Sequence, residues 1–217
     1  WRIARIFVEY SNIMSSKETS LKEKFRIALT STARVISDKI DLNSTNSENK
    51  KAKDLISVEI DNLTNPSDFI RLRAETDSSA LKKKFSNDSV YRKNLPSNTS
   101  SRSLYNIAEK IRYEALGGKM LKGIEKNLYE NYSQIINSTR KDQLKTKEDV
   151  PVSEAFELYM LKNFHKIKLN SLTNKMLNFW EKDFDKSIEK HKEFLIKNLE
   201  DQNAYGSRFS QILEEMD

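Results

Sequence analysis

Few side chains in this sequence are of a type and spacing that could do chemistry. His165 and His191 are its only histidines, and an imidazole can hold a metal or move a proton. Neither has a second ligand at three or four residues' distance on a shared helix face. Both read as half-buried, hydrogen-bonded histidines, and no metal site is expected. There is no Cys, which excludes a disulfide framework, a thiolate zinc site and a cysteine nucleophile. Gly117-Gly118-Lys119 lacks the rest of a Gly-x4-Gly-Lys-Ser/Thr phosphate cradle, so ATP hydrolysis by this chain is not expected. No Ser/His/Asp set has suggestive spacing. The expectation is a chain with no catalytic residue and no cofactor of its own. What remains is Glu109, Arg112 and Glu114. Glu109 lies three residues before Arg112, the spacing of an exposed helical ion pair worth about 0.2–0.5 kcal/mol. The alternative is a contact with a partner subunit or a neighbouring domain.

The stretch that carries these charges runs from Leu104 to Leu128. Leu104, Ile107, Ala108, Ile111 and Ala115 recur at helical steps and share one face. A second apolar set follows: Tyr113, Leu116, Met120, Leu121, Ile124 and Leu128. At about 100° per residue the two sets point to nearly opposite sides. Either the helix breaks at Gly117-Gly118, or it continues and packs two different neighbours. Adjacent glycines, with Gly123 close behind, suggest close backbone contact or a break.

With 4 Gly, 3 Pro and few β-branched runs in 217 residues, the fold class is mainly α, a multi-helix domain with at most a small β-hairpin. No apolar run is long enough to span a membrane, and the lack of Cys fits a cytoplasmic protein. The net charge of +6 is uneven. Leu81 to Lys147 carries 15 basic and 6 acidic side chains, net +9, whereas the segment after it is net −4. A charge run is ordinarily a solvated face. The sharper reading is a basic patch, with Lys82, Lys83 and Lys84 at its start, that meets an acidic partner.

Along the chain, residues 1–16 read as an N-terminal extension and 17–217 as one helical domain. Arg2 and Arg5 precede a short apolar run that Glu9 interrupts, too short for a signal peptide, and Met14 is the expected start of translation, with a real N-terminal arm as the alternative. Leu21 to Lys39 is a helix with Ser20 as cap and Glu23 in capping-box position. Its stripe is Leu21, Phe25, Ala28-Leu29, Thr32 and Val35-Ile36. Leu55 to Ile60 alternates as a strand does, with a partner around Lys39 to Asn43. Asp68 to Phe85 is a further helix. Pro151 suits the first turn of a helix carrying Phe156, Tyr159 and Phe164. A last helical region sets Leu177, Trp180, Phe184, Ile188, His191, Leu195 and Leu199 at near-regular steps, and its aromatics, Phe179 and Phe194 included, read as packing.

Glu109, Arg112, Glu114-Ala115, Gly117, Met120, Gly123 and Asn127-Leu128 together resemble the CobT family, the T subunit of the aerobic, ATP-dependent cobaltochelatase of cobalamin biosynthesis. Lys24-Phe25-Arg26-Ile27-Ala28-Leu29 looks like that family's opening helix, and Leu199-Glu200-Asp201-Gln202 through Asp217 looks like the segment closing its N-terminal region. The family's histidines near Phe85 to Tyr91 have no counterpart here; Asn87 and Tyr91 stand as possible replacements for their hydrogen bonds. The family's C-terminal von Willebrand A-type domain, with its Asp-x-Ser-x-Ser metal motif, is not in this stretch of sequence. The resemblance implies a non-ATPase scaffold subunit for cobalt insertion into hydrogenobyrinic acid a,c-diamide. It implies an oligomeric complex with a ring-forming AAA+ ATPase subunit and a large corrin-binding subunit, the whole complex handling ATP, Mg and Co. Under it, Glu109, Arg112, Glu114 and Lys82 to Lys84 are candidate partner contacts, and Gly117, Gly118, Met120 and Gly123 a structural motif. A basic, helical nucleic-acid-binding or other interaction protein is the alternative.

Overall fold

The computed structural model describes residues 2–37, 63–139 and 146–216, with residues 2–19 described as helix only. Among the described residues there are nine α-helices, a short 3-10 turn at Lys147–Asp149 and no strand. The expected hairpin at 39–43 and 55–60 lies outside the described residues. No helix is long and apolar enough to cross a membrane, again among the described residues. The chain divides into two compact units between Asp77 and Ser78.

The first unit holds α1 (Arg2–Ser37) and the beginning of α2 (Pro66–Phe85). The helix expected to begin after Ser20 runs through that residue, and across position 16, without interruption. No Gly or Pro stands upstream to stop it, and Glu23 pairs with Arg26 one turn on instead of closing a capping box. The true box sits at α2. Asp68 Oδ2 accepts from the Asn65 backbone N–H at 3.2 Å, and Asn65 Oδ1 accepts from the Asp68 backbone N–H at 3.2 Å. Backbone N–H bonds to the charged form, from Thr64 first and then from Asn65, hold the Asp68 carboxyl below its usual range. Leu29, Leu63 and Leu72 form the core here, with Phe25 and Phe69 against it edge to face at 5.0 Å. The stripe of α1 is narrower than its periodicity suggests: Leu21 and Val35 are exposed, while Leu29, Ala33 and Ile36 are buried.

The second unit is built on α4 (Thr99–Met120), which packs against α5 (Lys122–Ser138), α6 (Val152–Phe164) and α9 (Gln202–Glu214). Short α3 (Asp88–Lys93) lies on α9, while α7 (Ser171–Asn178) and α8 (Glu181–Lys197) pack on α6. Four of this unit's seven described helix starts are specified by a local cap. Asn87, Asn98, Asn170 and Asp201 all stand at N-caps with side chains accepting backbone N–H groups. Pro151 falls one place earlier than expected, at the N-cap of α6. The last helical region is three helices, because the turn at Phe179–Trp180 and the Asp201 cap divide it. The core is aromatic at its centre: Phe156 meets Phe184 at 5.5 Å and Phe209 at 6.3 Å, both edge to face. Phe194 is not part of it; it is exposed, with the Arg208 guanidinium over its ring at 4.6 Å.

The central stretch neither breaks at Gly117-Gly118 nor runs on. Helix α4 passes through both glycines and ends at Met120. Leu121 is extended (φ −140°, ψ 117°), and α5 starts at once with a new heading. That change of direction lets Leu104, Ile111 and Leu116 share a core with Ile124 and Leu128. The four residues of the glycine motif then separate by environment, and a Cβ at Gly118 would stand in ordinary contact with the Glu125 Cβ at 3.4 Å. A Cβ at Gly117 would lie 2.4 Å from the buried Leu81 side chain, so this glycine marks a close approach of α4 to α2. Nothing stands within 4 Å of a Cβ at Gly123, and Met120 is exposed, so neither is a packing position. Gly206 is the second close approach: a Cβ there would lie 2.5 Å from the Tyr105 hydroxyl.

Candidate interaction site

Helix α4 carries the candidate charges inward. Arg112 is completely buried and Glu109 nearly so, which corrects the exposed ion pair expected from their spacing. The spacing itself holds: Arg112 grips Glu109 in a two-pronged pair, Nε to Oε2 and Nη2 to Oε1, each 2.8 Å. The remaining donors leave the helix. Nη1 donates to the Leu199 carbonyl at 2.8 Å, and Nη2 donates to the Phe85 carbonyl at 2.6 Å. Those carbonyls lie at the end of α2 and in the α8–α9 connection, where helix ends leave acceptors open. Glu109 Oε1 also accepts from Ser86 Oγ at 2.8 Å and Gln202 Nε2 at 2.9 Å, and Gln202 Oε1 accepts from the Asn87 N–H at 2.7 Å. One ion pair therefore pins the α2–α3 and α8–α9 connections to the central helix.

Glu114, also buried, solves the same problem differently. Among the described residues no Lys or Arg comes within ion-pair distance of it, and the imidazole of His165 stands 3.7 Å away, too far for a hydrogen bond. Its oxygens accept neutral hydroxyls instead, Ser78 Oγ at 2.5 Å and Tyr132 Oη at 2.5 Å. Burial raises the Glu114 pKa, against the lowering charge of Lys110 and the two hydroxyls. Burial likewise pushes the Tyr132 phenol well up and His165 down to about 4, so the imidazole is neutral. His165 Nε2 is buried and makes no hydrogen bond.

The direct partner contact expected of Glu109, Arg112 and Glu114 does not suit their burial, since their polar atoms are turned to groups of this same chain. Lys82 and Lys83 do sit on the surface, in the last turn of α2 where the helix dipole favours cations. Asn87 and Tyr91 take polar roles, Asn87 as a cap and Tyr91 as a donor to Asn106. His191 is half-buried with Nδ1 3.1 Å from Arg208 Nη1, and burial, with that guanidinium, lowers its pKa. Sequence reasoning missed Ser78, Tyr132 and Gln202, and missed that His165 faces Glu114. Nothing local marks them, because each acts across 18 to 93 residues. No group of three or more His, Asp or Glu able to hold a metal exists among the described residues.

Beside Glu114 opens a cleft of about 310 Å³, between the end of α4, α5 and the loop after α6. Leu128 and Leu199 are buried at its base, and Tyr129 and Ile196 are exposed on its walls. Lys119, Lys122 and Lys166 also line it. Lys166 has a left-handed backbone, φ 56°, at the turn that ends α6.

A family model described as cobalamin biosynthesis protein CobT matches residues 19–217, nearly the whole chain. No solved structure matches.

Proposed function

The chain belongs to the CobT family of cobalamin biosynthesis proteins, and from that premise we propose that it is the non-ATPase, coupling subunit of an ATP-dependent cobaltochelatase. In this reading a AAA+ subunit hydrolyses ATP, and a large subunit holds hydrogenobyrinic acid a,c-diamide and receives the cobalt. This chain, acting in the cytoplasm, joins the two as a scaffold. The family match over residues 19–217 carries the reading. The buried network supports it: the polar residues on which the resemblance centres hold helices of this chain together. With Arg112 and Glu109 inside, the surface contact falls to Lys82, Lys83 and Lys84.

Co-purification and binding kinetics with the AAA+ subunit of the same organism test this. The chain alone should show neither ATPase activity nor cobalt insertion, and should bind that subunit. Reversing Lys82, Lys83 and Lys84 to Glu should slow association, and salt should shrink the difference as charges are screened beyond about 8–10 Å. Absent binding at tens of micromolar, together with tight, salt-sensitive binding to random DNA, would replace this reading with the nucleic-acid one.

A further inference from the structure

The cleft beside Glu114 shares Leu199 and Glu114 with the groups that tie the helices together, but its open side has a lopsided chemistry of its own. Its hollow is apolar: Leu128 and Leu199 are buried beneath, and Tyr129 and Ile196 remain 43% and 40% exposed. Its rim is basic. Lys119 and Lys122 approach from the α4–α5 junction, and Lys166 is held there by the left-handed turn and by a bond from its Nζ to the Asn163 carbonyl at 2.8 Å. Of the carboxyl groups lining it, Glu125 pairs with Lys122 at 2.9 Å, and Glu114 is tied up by two hydroxyls inside. The rim is therefore net positive. Met120 and Leu121, beside Lys119 and Lys122 in the chain, are also exposed, at 38% and 42%. A small molecule filling the hollow would leave that apolar surface wet, whereas a polypeptide laid across it covers both.

We propose that this cleft is the docking site for an acidic segment of a protein partner. One aromatic or large aliphatic side chain of that segment enters the hollow, and carboxylates on either side of it meet Lys119, Lys122 and Lys166. The arrangement is that of an interface hot spot, an apolar anchor in a pocket ringed by polar contacts. It rests on the coupling-subunit reading for the identity of the partner but not for the chemistry of the site.

The probe is a fluorescein-labelled peptide, Asp-Glu-Asp-Phe-Glu-Asp-Glu, titrated with the full chain and followed by anisotropy. Saturable binding is expected. Replacing the peptide's Phe by Ala, the chain's Tyr129 by Ala, or Lys119 and Lys122 together by Glu should each weaken it about tenfold or more, the affinity change that 1.4 kcal/mol corresponds to. Reversing Lys82, Lys83 and Lys84 should leave it unchanged. Tyr129, Lys119, Lys122, Lys82 and Lys83 are exposed and Lys84 is half-buried, and circular dichroism checks that the variants keep their helix content. Equal binding of the Ala peptide would reduce the contact to surface charge and overturn the proposal. Displacement of the peptide by phenylacetate, which itself binds as tightly, would overturn it in favour of a small-acid site, and no binding at millimolar chain would overturn it outright. If the AAA+ and corrin-binding subunits bind the wild type and the Tyr129→Ala, Lys119→Glu, Lys122→Glu variant equally well, this docking site fails while the coupling reading stands. If the peptide binds and neither subunit does, the coupling reading fails and the site stands.

Discussion

Glu109 and Glu114 sit little more than one turn apart on the same helix, both within 4% of complete burial, yet they are held by opposite means. Glu109 faces a guanidinium two of whose other N–H groups end on carbonyls, charge against charge. Glu114 faces hydroxyls and a neutral imidazole, beside a cleft. A buried ion pair is sensitive to the loss of either member, because what is left is an uncompensated charge in a poor solvent. A carboxyl among neutral donors can shed its charge by taking a proton. The first arrangement fixes geometry; the second leaves a group whose state follows its surroundings.

The harshest way to break this contrast is Arg112→Met. It strands Glu109 and should remove about 3–5 kcal/mol of stability, read from urea unfolding of the full chain. Pairing it with Glu109→Met should recover most of that loss. A single-variant loss below about 1 kcal/mol would show that the network relaxes or floods, and the contrast would collapse.

Acid separates the two arrangements next. His165 is pushed down to about 4 from 6.5, so between those values the unfolded chain binds more protons than the folded one. Its contribution is present above pH 6.5 and is lost as pH falls through the folded value, with a slope of at most about 1.4 kcal/mol per unit. Glu114 has the opposite sign: its raised pKa gives stability that is present at low pH and lost as pH rises. Unfolding midpoints between pH 7 and 5 should therefore fall more steeply for the wild type than for His165→Gln. Parallel profiles would mean the imidazole is solvated. Glu114→Gln mimics the protonated carboxyl and should cost only about 1 kcal/mol at neutral pH, the order of one hydrogen bond. A loss matching Arg112→Met would show that Glu114 is held as an anion.

The smallest effect sharpens the comparison by holding sequence spacing constant. Lys122 and Glu125 are also three residues apart and form an ion pair at 2.9 Å, but both are exposed. A double-mutant cycle on this pair should give about 0.2–1 kcal/mol, against several for Arg112 and Glu109.

That pair also shows how far the sequence could be read. The spacing of three was plain at Glu109 and Arg112, and what it meant was not. Burial of Arg112 depends on the carbonyls of Leu199 and Phe85, and a backbone carbonyl carries no residue-type signature. Helical periodicity reached α4, α6 and α8. The break at Leu121 was invisible, because a leucine in extended backbone looks like any other leucine. Ser20 misled in the other direction: it suits a cap, but a cap residue ends nothing when helix-compatible residues lie on both sides. The basic cleft was hidden for a third reason. Its lysines come from two parts of the chain joined only by the packing of α4 on α6.

The reach of the Arg112 bond to Leu199 has a consequence in time. The acceptor is 87 residues downstream of the guanidinium. At a synthesis rate of about 5–20 residues per second, the ribosome needs roughly 4–17 s to make Leu199 after Arg112. Through that interval the central helix can coil and meet α2, but it carries a charge with one of its acceptors still unmade. The packed form of the nascent second unit is thus postponed until its C-terminal helices arrive, and a chaperone that shields half-finished helical surfaces would find its longest opportunity here.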